Sequence, residues 1–279
     1  ISGNQGRLGG GLLNRGGSMI GDFSDISANQ AERGGGVEST GSLTLNATSI
    51  ANNVATFVGG GIFFDLGSLQ VNASTISGNM SQDGGGISAY DSQVSVFNST
   101  ISGNSADGDG GGLIISDDGG AGTQAVIVNS TIVANRGNAA GNPTGSGGGI
   151  ITSSLPSVTQ LFNTIVAGNV MGAVGADAPS DLAGQPVSDV SAFNLIGDPL
   201  SAGGLIDGAS GNIVGAAGAL IPLATIIDPV LADNGGPTPT HALVSGSPPM
   251  DAGENALATT PGDDGVPGTG DNNETTLLE

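Results

Sequence analysis

Apolar residues recur along this chain in two superimposed patterns. Within short segments they alternate with polar residues, as in "SLTL" (42–45), "SLQV" (68–71) and "QVSV" (93–96). A spacing of two is typical of a strand with one buried face. On a longer scale, these segments return about every 25 residues, and no stretch shows a helical period of useful length. The pattern therefore predicts an all-β chain of short strands.

A six-residue motif marks the longer period. "STISGN" occupies 74–79, returns at 99–104 and becomes "STIVAN" at 130–135. A run of glycines lies between successive copies, and an apolar residue follows each run. The isoleucine of the motif falls at Ile1, Ile26, Ile50, Ile76, Ile101, Ile132 and Ile165, with gaps of 25, 24, 26, 25, 31 and 33 residues.

A unit of this length cannot bury its apolar face alone. It can do so if it coils once and stacks on its neighbours at the ~4.8 Å spacing of a parallel sheet. We therefore predict a parallel β-helix, with one strand at "TI", one after the glycine run and one at the alternating segment. The glycines suit a tight corner.

Stacking would place equivalent residues in ladders along the axis. Stacked amides can satisfy one another's hydrogen bonds in such an arrangement, and stacked isoleucines would form an aliphatic core. The expected amide ladder is Asn4, Asn29, Asn53, Asn79 and Asn104, and the expected aliphatic ladder is Ile26, Ile50, Ile76, Ile101 and Ile132.

The regular pattern weakens toward the C-terminus. We expect regular coils over 1–175, an irregular continuation over 176–232 and a turn- and proline-rich cap or tail over 233–279. Insertions at 116–124 and 136–147 lengthen two turns. Loops that protrude from a rigid solenoid are where binding sites usually lie.

Several motifs together resemble a known family. The "STISGN…GGGI" coils are followed by "DLAG" (181–184), "FNLIG" (193–197) and "LADNGGPTPTHALVSGSPPMDAG" (231–253). This set resembles bacterial secreted β-helix proteins with a choice-of-anchor Q region and, more loosely, polymorphic outer-membrane-protein and pectin-lyase-like β-helices. The resemblance implies a right-handed β-helix that is exported by a bacterial route and lies outside the cell or on its surface. It implies little about activity, because a fold does not dictate function.

Composition narrows the set of partners. Cysteine is absent, and 25 acidic residues stand against four arginines, which gives a net charge of −21. Such a surface repels nucleic acid, anionic lipid headgroups and acidic polysaccharides. No apolar run approaches the ~20 residues of a spanning helix. We expect neither a nucleic-acid partner nor a membrane span.

Candidate catalytic residues do not stand out. A polysaccharide lyase needs acids that hold calcium beside a basic residue, and a glycosidase needs two carboxylates across a cleft. Asp107, Asp109, Asp117 and Asp118 lie in glycine-flanked turns, where aspartate is ordinary turn chemistry. The chain contains neither a second histidine nor a cysteine that could act together with His241. A packing role for His241 is therefore favoured over a zinc site or a catalytic triad.

The acidic turns are better candidates for weak calcium binding, because a hard cation prefers clustered oxygen ligands. Their spacing matches neither an EF-hand nor a glycine-rich calcium repeat. We expect no cofactor other than weakly bound calcium. Its candidate ligands are Asp107, Asp109, Asp117, Asp118, Asp263, Asp264 and Asp271.

The leading functional expectation is a non-enzymatic, exported structural or adhesive surface β-helix. A β-helix leaves an unpaired strand edge at each end, and this sequence begins directly in a coil and contains no lysine to guard an edge. We therefore also expect self-association head to tail into a filament, a contact that does not close on itself.

The alternative is a carbohydrate-binding or carbohydrate-active β-helix of the lyase or glycosidase kind, with neutral glycans as partners. Sugar sites usually present aromatic platforms. Tyr90 and seven phenylalanines are the aromatic residues of the chain. Phe63 and Phe64 form the nearest thing to a platform, and strand alternation puts one of them inside.

Overall fold

The computed structural model describes residues 1–141, 145–261, 266–269 and 277. The chain winds into a parallel β-helix, in which successive coils contribute strands to three sheets. Cα partners such as Leu12 and Val37, or Ile50 and Ile76, are one repeat apart in sequence. The all-β solenoid predicted from the repeat is therefore confirmed.

The first sheet is built from the segments that follow the glycine runs. In the early coils, the apolar residue after the glycines and the alternating segment belong to one long strand, whereas the sequence suggested two. Later insertions divide this strand. The strands of the first sheet are Leu12–Asp22 (β1), Val37–Asn46 (β4), Ile62–Asn72 (β7), Ile87–Phe97 (β10), Leu113–Ser116 (β13), Gln124–Val128 (β14), Ile150–Thr152 (β17), Val158–Phe162 (β18) and Leu182–Gly184 (β22).

The second sheet contains the "TI" segments and their later equivalents. Its strands are short because turn-forming residues flank each of them. They are Asp25–Ser27 (β2), Ser49–Ala51 (β5), Thr75–Ser77 (β8), Thr100–Ser102 (β11), Thr131–Val133 (β15), Ile165–Ala167 (β19), Leu195–Ile196 (β23) and Ile213–Val214 (β24).

The third sheet had no distinct signal in the sequence, because its strands are short and bury small side chains such as Ala31, Ala55 and Ala106. Its last strand, Ala178–Pro179, runs antiparallel to the neighbouring strand Val170–Met171. The strands are Gln30–Arg33 (β3), Val54–Val58 (β6), Met80–Ser81 (β9), Ser105–Ala106 (β12), Arg136–Gly137 (β16), Val170–Met171 (β20) and Ala178–Pro179 (β21).

One aliphatic core runs along the stack. The isoleucines of the predicted ladder pair in register from coil to coil, and none is more than 1% exposed. Full burial of an aliphatic side chain of this size contributes about 1.5–3 kcal/mol. The ladder residues are Ile26, Ile50, Ile76, Ile101 and Ile132.

The glycine runs form a sharp corner between the third and first sheets. Gly34 and Gly59 have φ of 60° and 67°, in the left-handed region that favours glycine. At the next position the obstacle is close approach: a Cβ added to Gly60 would lie 2.4 Å from the backbone oxygen of Gly85. The corner therefore requires glycine for two different reasons.

Beyond β24 the chain turns back along the outer side of the second sheet. Thr75 Oγ1 donates to the carbonyl of Pro239 at 2.6 Å, and Asn163 exchanges two hydrogen bonds of 2.9 Å with the backbone of Glu254. We call residues 228–257 the tail. The tail, which includes residues 233–257 of the segment expected as a cap or tail, thus lies along the side of the stack.

The remaining regular elements are single turns of 3-10 helix at Pro199–Ser201, Ala209–Gly211, Leu223–Thr225 and Asn255–Leu257. No α-helix occurs among the described residues. Within the same residues, no helix has the length and apolar character needed to cross a membrane.

Candidate functional site

The predicted asparagines occupy the same turn in successive coils, where they form a hydrogen-bonded ladder. Each side-chain amide donates to the carbonyl oxygen of the next asparagine, and from Asn29 onward every member is buried. The Nδ2–Oδ1 distances are 3.0 Å for Asn4–Asn29, 3.0 Å for Asn29–Asn53, 3.0 Å for Asn53–Asn79 and 2.9 Å for Asn79–Asn104.

The amide ladder continues beyond the residues that the sequence suggested. Asn104 donates to Asn135 and Asn135 to Asn169, each at 2.9 Å. These members were missed because insertions lengthen the spacing to 31 and 34 residues. The asparagine that closes "STIVAN" was the available signal for Asn135.

The ladder ends on a carboxylate. Asp181 is 1% exposed and accepts from Asn169 Nδ2 at 2.9 Å through Oδ1 and from the backbone N–H of Asp198 at 2.8 Å through Oδ2. Burial raises the pKa of Asp181 to about 6, although these hydrogen bonds act in the opposite direction.

A second ladder consists of hydroxyl groups. The serine or threonine before each "TI" segment accepts a hydrogen bond from the backbone N–H of its equivalent one coil earlier. The N–Oγ distances are 3.0 Å for Thr48–Ser74, 3.0 Å for Ser74–Ser99 and 3.2 Å for Ser99–Ser130. Both ladders satisfy buried polar groups along the axis, so they give the solenoid a fixed register.

The candidate calcium ligands serve mainly to fasten loops. Asp109 Oδ1 accepts from the backbone N–H of Ser146 at 2.7 Å, and Asp117 Oδ1 accepts from Ser154 Oγ. Asp107 and Asp118 are exposed. Asp263, Asp264 and Asp271 lie outside the described residues. In the described part of the chain, no three His, Asp or Glu side chains converge as a metal ion would require.

A cluster of outward-facing but largely buried side chains follows the glycine corner. Side chains of the first sheet that point outward are nevertheless buried there, because side chains at the end of the third sheet face them across the corner. For example, Ser88 Oγ donates to the carbonyl of Asp83 at 3.2 Å. We call this the corner groove; it is lined by Arg33, Glu38, Phe63, Asp65, Asp83, Ser88, Tyr90, Asp109 and Ile114.

A cation and two aromatic rings form a row in the corner groove. Arg33 Nη2 lies 3.0 Å from Glu38 Oε1, and its Cζ lies 4.3 Å from the centroid of the Phe63 ring. The Phe63 and Tyr90 rings are 5.8 Å apart at an angle of 40°. Phe64 is the inward member of its pair, at 0% exposure, so Phe63 is the one that reaches the groove.

The ionisable groups of the corner groove are partly dehydrated. Burial is the main cause that raises the pKa of Glu38, Asp65 and Asp83, and it raises the pKa of Tyr90 to about 12 with help from neighbouring aspartates. For Glu38, the effect of burial exceeds the opposing effect of Arg33. Perturbed groups of this kind concentrate at functional sites.

Two buried polar atoms of the groove have no hydrogen-bond partner among the described residues. They are Arg33 Nε and Glu38 Oε2. Unsatisfied buried polar atoms are rare in native proteins and call for an explanation such as a ligand or an ordered water molecule. This pair offers one donor and one acceptor.

His241 lies elsewhere, between the tail and the second sheet. Its Nε2 lies 2.8 Å from Ser102 Oγ, and its Nδ1 lies 2.8 Å from the carbonyl of Asp228. A serine–histidine pair can begin a nucleophilic site, but Ser102 is only 5% exposed and a backbone carbonyl occupies the place of the third group. We interpret the pair as a clamp that holds the tail.

Comparison with known proteins does not extend this description. No family model, curated protein or solved structure matches the chain. The fold and the local geometry are therefore the basis for its classification, and they define a parallel β-helix built from three sheets.

Proposed function

We propose that this protein is a non-enzymatic structural and adhesive β-helix of the bacterial cell surface, and that it binds neutral glycans in the corner groove. The row formed by Arg33, Phe63 and Tyr90 carries the proposal, with Asp65 and Asp83 beside it. Export and surface location rest on the resemblance of the "DLAG", "FNLIG" and "GSPPMDAG" segments to choice-of-anchor β-helix proteins.

The chemistry of the row suits a sugar. The faces of aromatic rings receive the C–H face of a pyranose, and carboxylates accept hydrogen bonds from its hydroxyl groups. Arg33 Nε and Glu38 Oε2 are buried and unpaired, and the Arg33 side chain that covers them is 40% exposed. A ligand hydroxyl group that enters when this side chain shifts would relieve both desolvation costs, because it is both donor and acceptor.

Charge selects the class of glycan. Asp65, Asp83 and Asp109 stand in or beside the groove, and the chain carries a net charge of −21. Uronate polymers would meet like charge along their whole length. Neutral glycans are therefore the proposed partners.

The arrangement of charges favours holding a ligand over transforming it. Arg33, the cation of the row, is already paired with Glu38, and Asp83 Oδ1 accepts the backbone N–H of Asp109 at 2.8 Å. One observation favours the carbohydrate-active alternative: the raised pKa values of Glu38 and Asp65 are a property of general acids. An activity measurement must therefore accompany the binding measurement.

The structural part of the proposal includes self-association. β1 pairs with β4 on one side, and no described strand pairs with its other edge. At the opposite end of the stack, Ala202 bridges Leu182 and Leu205 packs against the core, as Leu12 and Met19 do at the first end. Association through β1 alone and a head-to-tail filament are therefore the two arrangements to be tested.

Calorimetric titration with neutral oligosaccharides, such as cello-, xylo- and manno-hexaose, tests the glycan proposal, with polygalacturonate as the charged comparison. We expect binding of a neutral glycan that Tyr90→Ala weakens by about tenfold, or 1.4 kcal/mol. Phe23→Ala is the matched control, because Phe23 is 83% exposed and follows the end of β1 that lies away from the glycine corner.

Two results would contradict the proposal: no binding of any neutral glycan, or binding that Tyr90→Ala leaves unchanged. The same mixtures are assayed for new reducing ends and unsaturated products. Turnover that is lost in Glu38→Gln or Asp65→Asn would replace the binding function by the carbohydrate-active alternative.

A further inference from the structure

A separate cavity of about 280 Å³ lies between the second sheet and the tail. We call it the tail cavity. One register column forms its floor, because Thr131, Ile165, Leu195 and Ile213 are successive Cα partners. Leu243 and Pro249 of the tail, with Ile227 just before it, form its roof. The cavity belongs to a different sheet from the corner groove.

The part of the tail that forms the roof of this half-open cavity is anchored on both sides. The His241 clamp fixes one part of the roof through Ser102, and the two hydrogen bonds between Asn163 and Glu254 fix the other. The roof therefore keeps its distance from the floor without a ligand, so the cavity is preformed. Preformed cavities bind with a smaller entropic cost than cavities that must be assembled.

The lining of the tail cavity combines aliphatic side chains and Phe193 with uncharged polar side chains, and it carries no Asp, Glu, Lys or Arg. His241 is its titratable residue, and both ring nitrogens already have partners. Two other lining atoms, Asn129 Nδ2 and Thr131 Oγ1, make no hydrogen bond to the described residues. They sit two residues apart on one turn of chain, so the cavity has one polar end.

We propose that the tail cavity binds a small, uncharged, amphipathic molecule with an apolar body and a single hydroxyl or N–H group. An apolar cavity of about 150 Å³ holds benzene, so this larger space suits a molecule of about ten non-hydrogen atoms. A hexose does not fit this chemistry. Most of its hydroxyl groups would lose water without gaining a partner, because the cavity offers two free polar atoms.

Indole is a suitable probe, because it has an apolar body, one N–H group and its own fluorescence. The chain contains no tryptophan, so a blue shift of indole emission reports directly on transfer into an apolar site. We expect a saturable blue shift with the full chain. An excess of methyl glucoside should leave it unchanged.

Three variants locate the site. Ala252 lines the cavity, so Ala252→Leu should reduce its free volume and weaken indole binding by about tenfold or more. Ala176→Leu is the matched control, because Ala176 is exposed and does not line the cavity; its affinity should equal that of the parent. Thr131→Val removes the polar partner of the N–H group and should weaken binding about threefold to tenfold.

Each result of the indole experiment either supports the proposed site or overturns it. Absence of a saturable shift overturns the proposal, and so does a shift that both Ala252→Leu and Thr131→Val leave intact. Displacement of indole by methyl glucoside would overturn the chemical class. If Ala252→Leu does not fold, as judged by circular dichroism, Thr131→Val alone decides, since it keeps the shape of the strand and changes one atom type.

Discussion

Asn169 donates both its backbone N–H and its side-chain amide to Oδ1 of Asp181, so the amide ladder terminates on a buried carboxylate. A ladder of amides has a direction, because each member donates toward the next. Its last member must accept from Asn169 on one side and from the backbone N–H of Asp198 on the other. A carboxylate has two acceptor oxygens and an amide has one, so aspartate suits this position.

The buried carboxylate predicts a pH dependence of stability. Burial raises the pKa of Asp181 from an ordinary 3.8 to about 6 in the folded chain. A raised pKa means that this group contributes stability fully below pH 3.8 and that the contribution is lost as pH rises through 6. The loss is at most about 3 kcal/mol, at 1.4 kcal/mol per unit.

Urea unfolding at intervals from pH 4 to pH 7.5 measures this contribution, with Asp181→Asn as the comparison that lacks the titrating group. We expect the difference in free energy of unfolding between parent and variant to change across the window from 3.8 to 6. Parallel profiles would show that Asp181 does not titrate there.

The interior of the ladder predicts a large cost for losing one amide. Asn79 accepts from the backbone N–H and the amide of Asn53, and it donates to Asn104 and to the carbonyl of Ile50. Asn79→Ala leaves these buried groups unpaired, so we expect a loss of about 3 kcal/mol in the free energy of unfolding. Asn4→Ala, at the exposed end of the ladder, is the control and should cost far less; equal costs would contradict the argument.

The sequence predicted those features that repeat at constant spacing. The ladder from Asn4 to Asn104 and the isoleucines from Ile26 to Ile101 follow from a period of 24 to 26 residues, and Ile132 was identified by its motif although 31 residues separate it from Ile101. Asn169 escaped because insertions interrupt the period, and Asp181 escaped because an aspartate before "LAG" resembles an ordinary turn residue. The role of each residue follows from the residue of the neighbouring coil on which it stacks, and that pairing is visible in the structure but not in the sequence.

Contacts of the tail could not be predicted in this way. Thr75 and Pro239 are 164 residues apart in sequence, and neither belongs to a repeated pattern that points to the other. The corner groove was missed for a related reason. Alternation shows that Phe63 points outward, but only the geometry of the glycine corner shows that outward side chains such as Glu38 are buried.

The glycine corner predicts different costs for two alanine substitutions. In Gly60→Ala the new Cβ would lie 2.4 Å from the backbone oxygen of Gly85, and neither backbone can move without breaking the stack. We expect a cost of about 3 kcal/mol. In Gly103→Ala the space is open and only the φ of +65° opposes the side chain, so the cost should be about 1–2 kcal/mol. Chemical denaturation of both variants checks the order, and a reversed order would contradict it.

The tail clamp predicts a local effect that leaves the solenoid intact. Ser102→Ala removes the hydroxyl partner of His241, so hydrogen exchange over 228–243 should accelerate by about tenfold, while β7 and β10 keep their protection. Ser77→Ala is the matched control, because Ser77 is the register partner of Ser102 and makes no side-chain bond to the described part of the tail. Equal exchange in both variants would show that the clamp does not hold the tail.

The unpaired edge of β1 predicts association between copies of the chain. Ile20 on this strand is 64% exposed, and the strand has one partner in the described structure. Two copies that meet edge to edge would gain several backbone hydrogen bonds of about 0.5–1.5 kcal/mol each. Repulsion between chains of charge −21 opposes the contact, and salt screens that repulsion. Association should therefore increase with ionic strength.

Sedimentation velocity over a range of concentration and salt distinguishes the possible contacts through two matched substitutions. Ile20→Lys places a charge on the β1 strand, and Leu200→Lys places one at the opposite end, where Leu200 is 94% exposed. If copies meet through β1 alone, Ile20→Lys should abolish a dimer that Leu200→Lys leaves unchanged. If they assemble head to tail, both substitutions should shorten the oligomers, because each contact uses both ends. A parent chain that stays monomeric at high salt and high concentration would remove self-association from the proposed function.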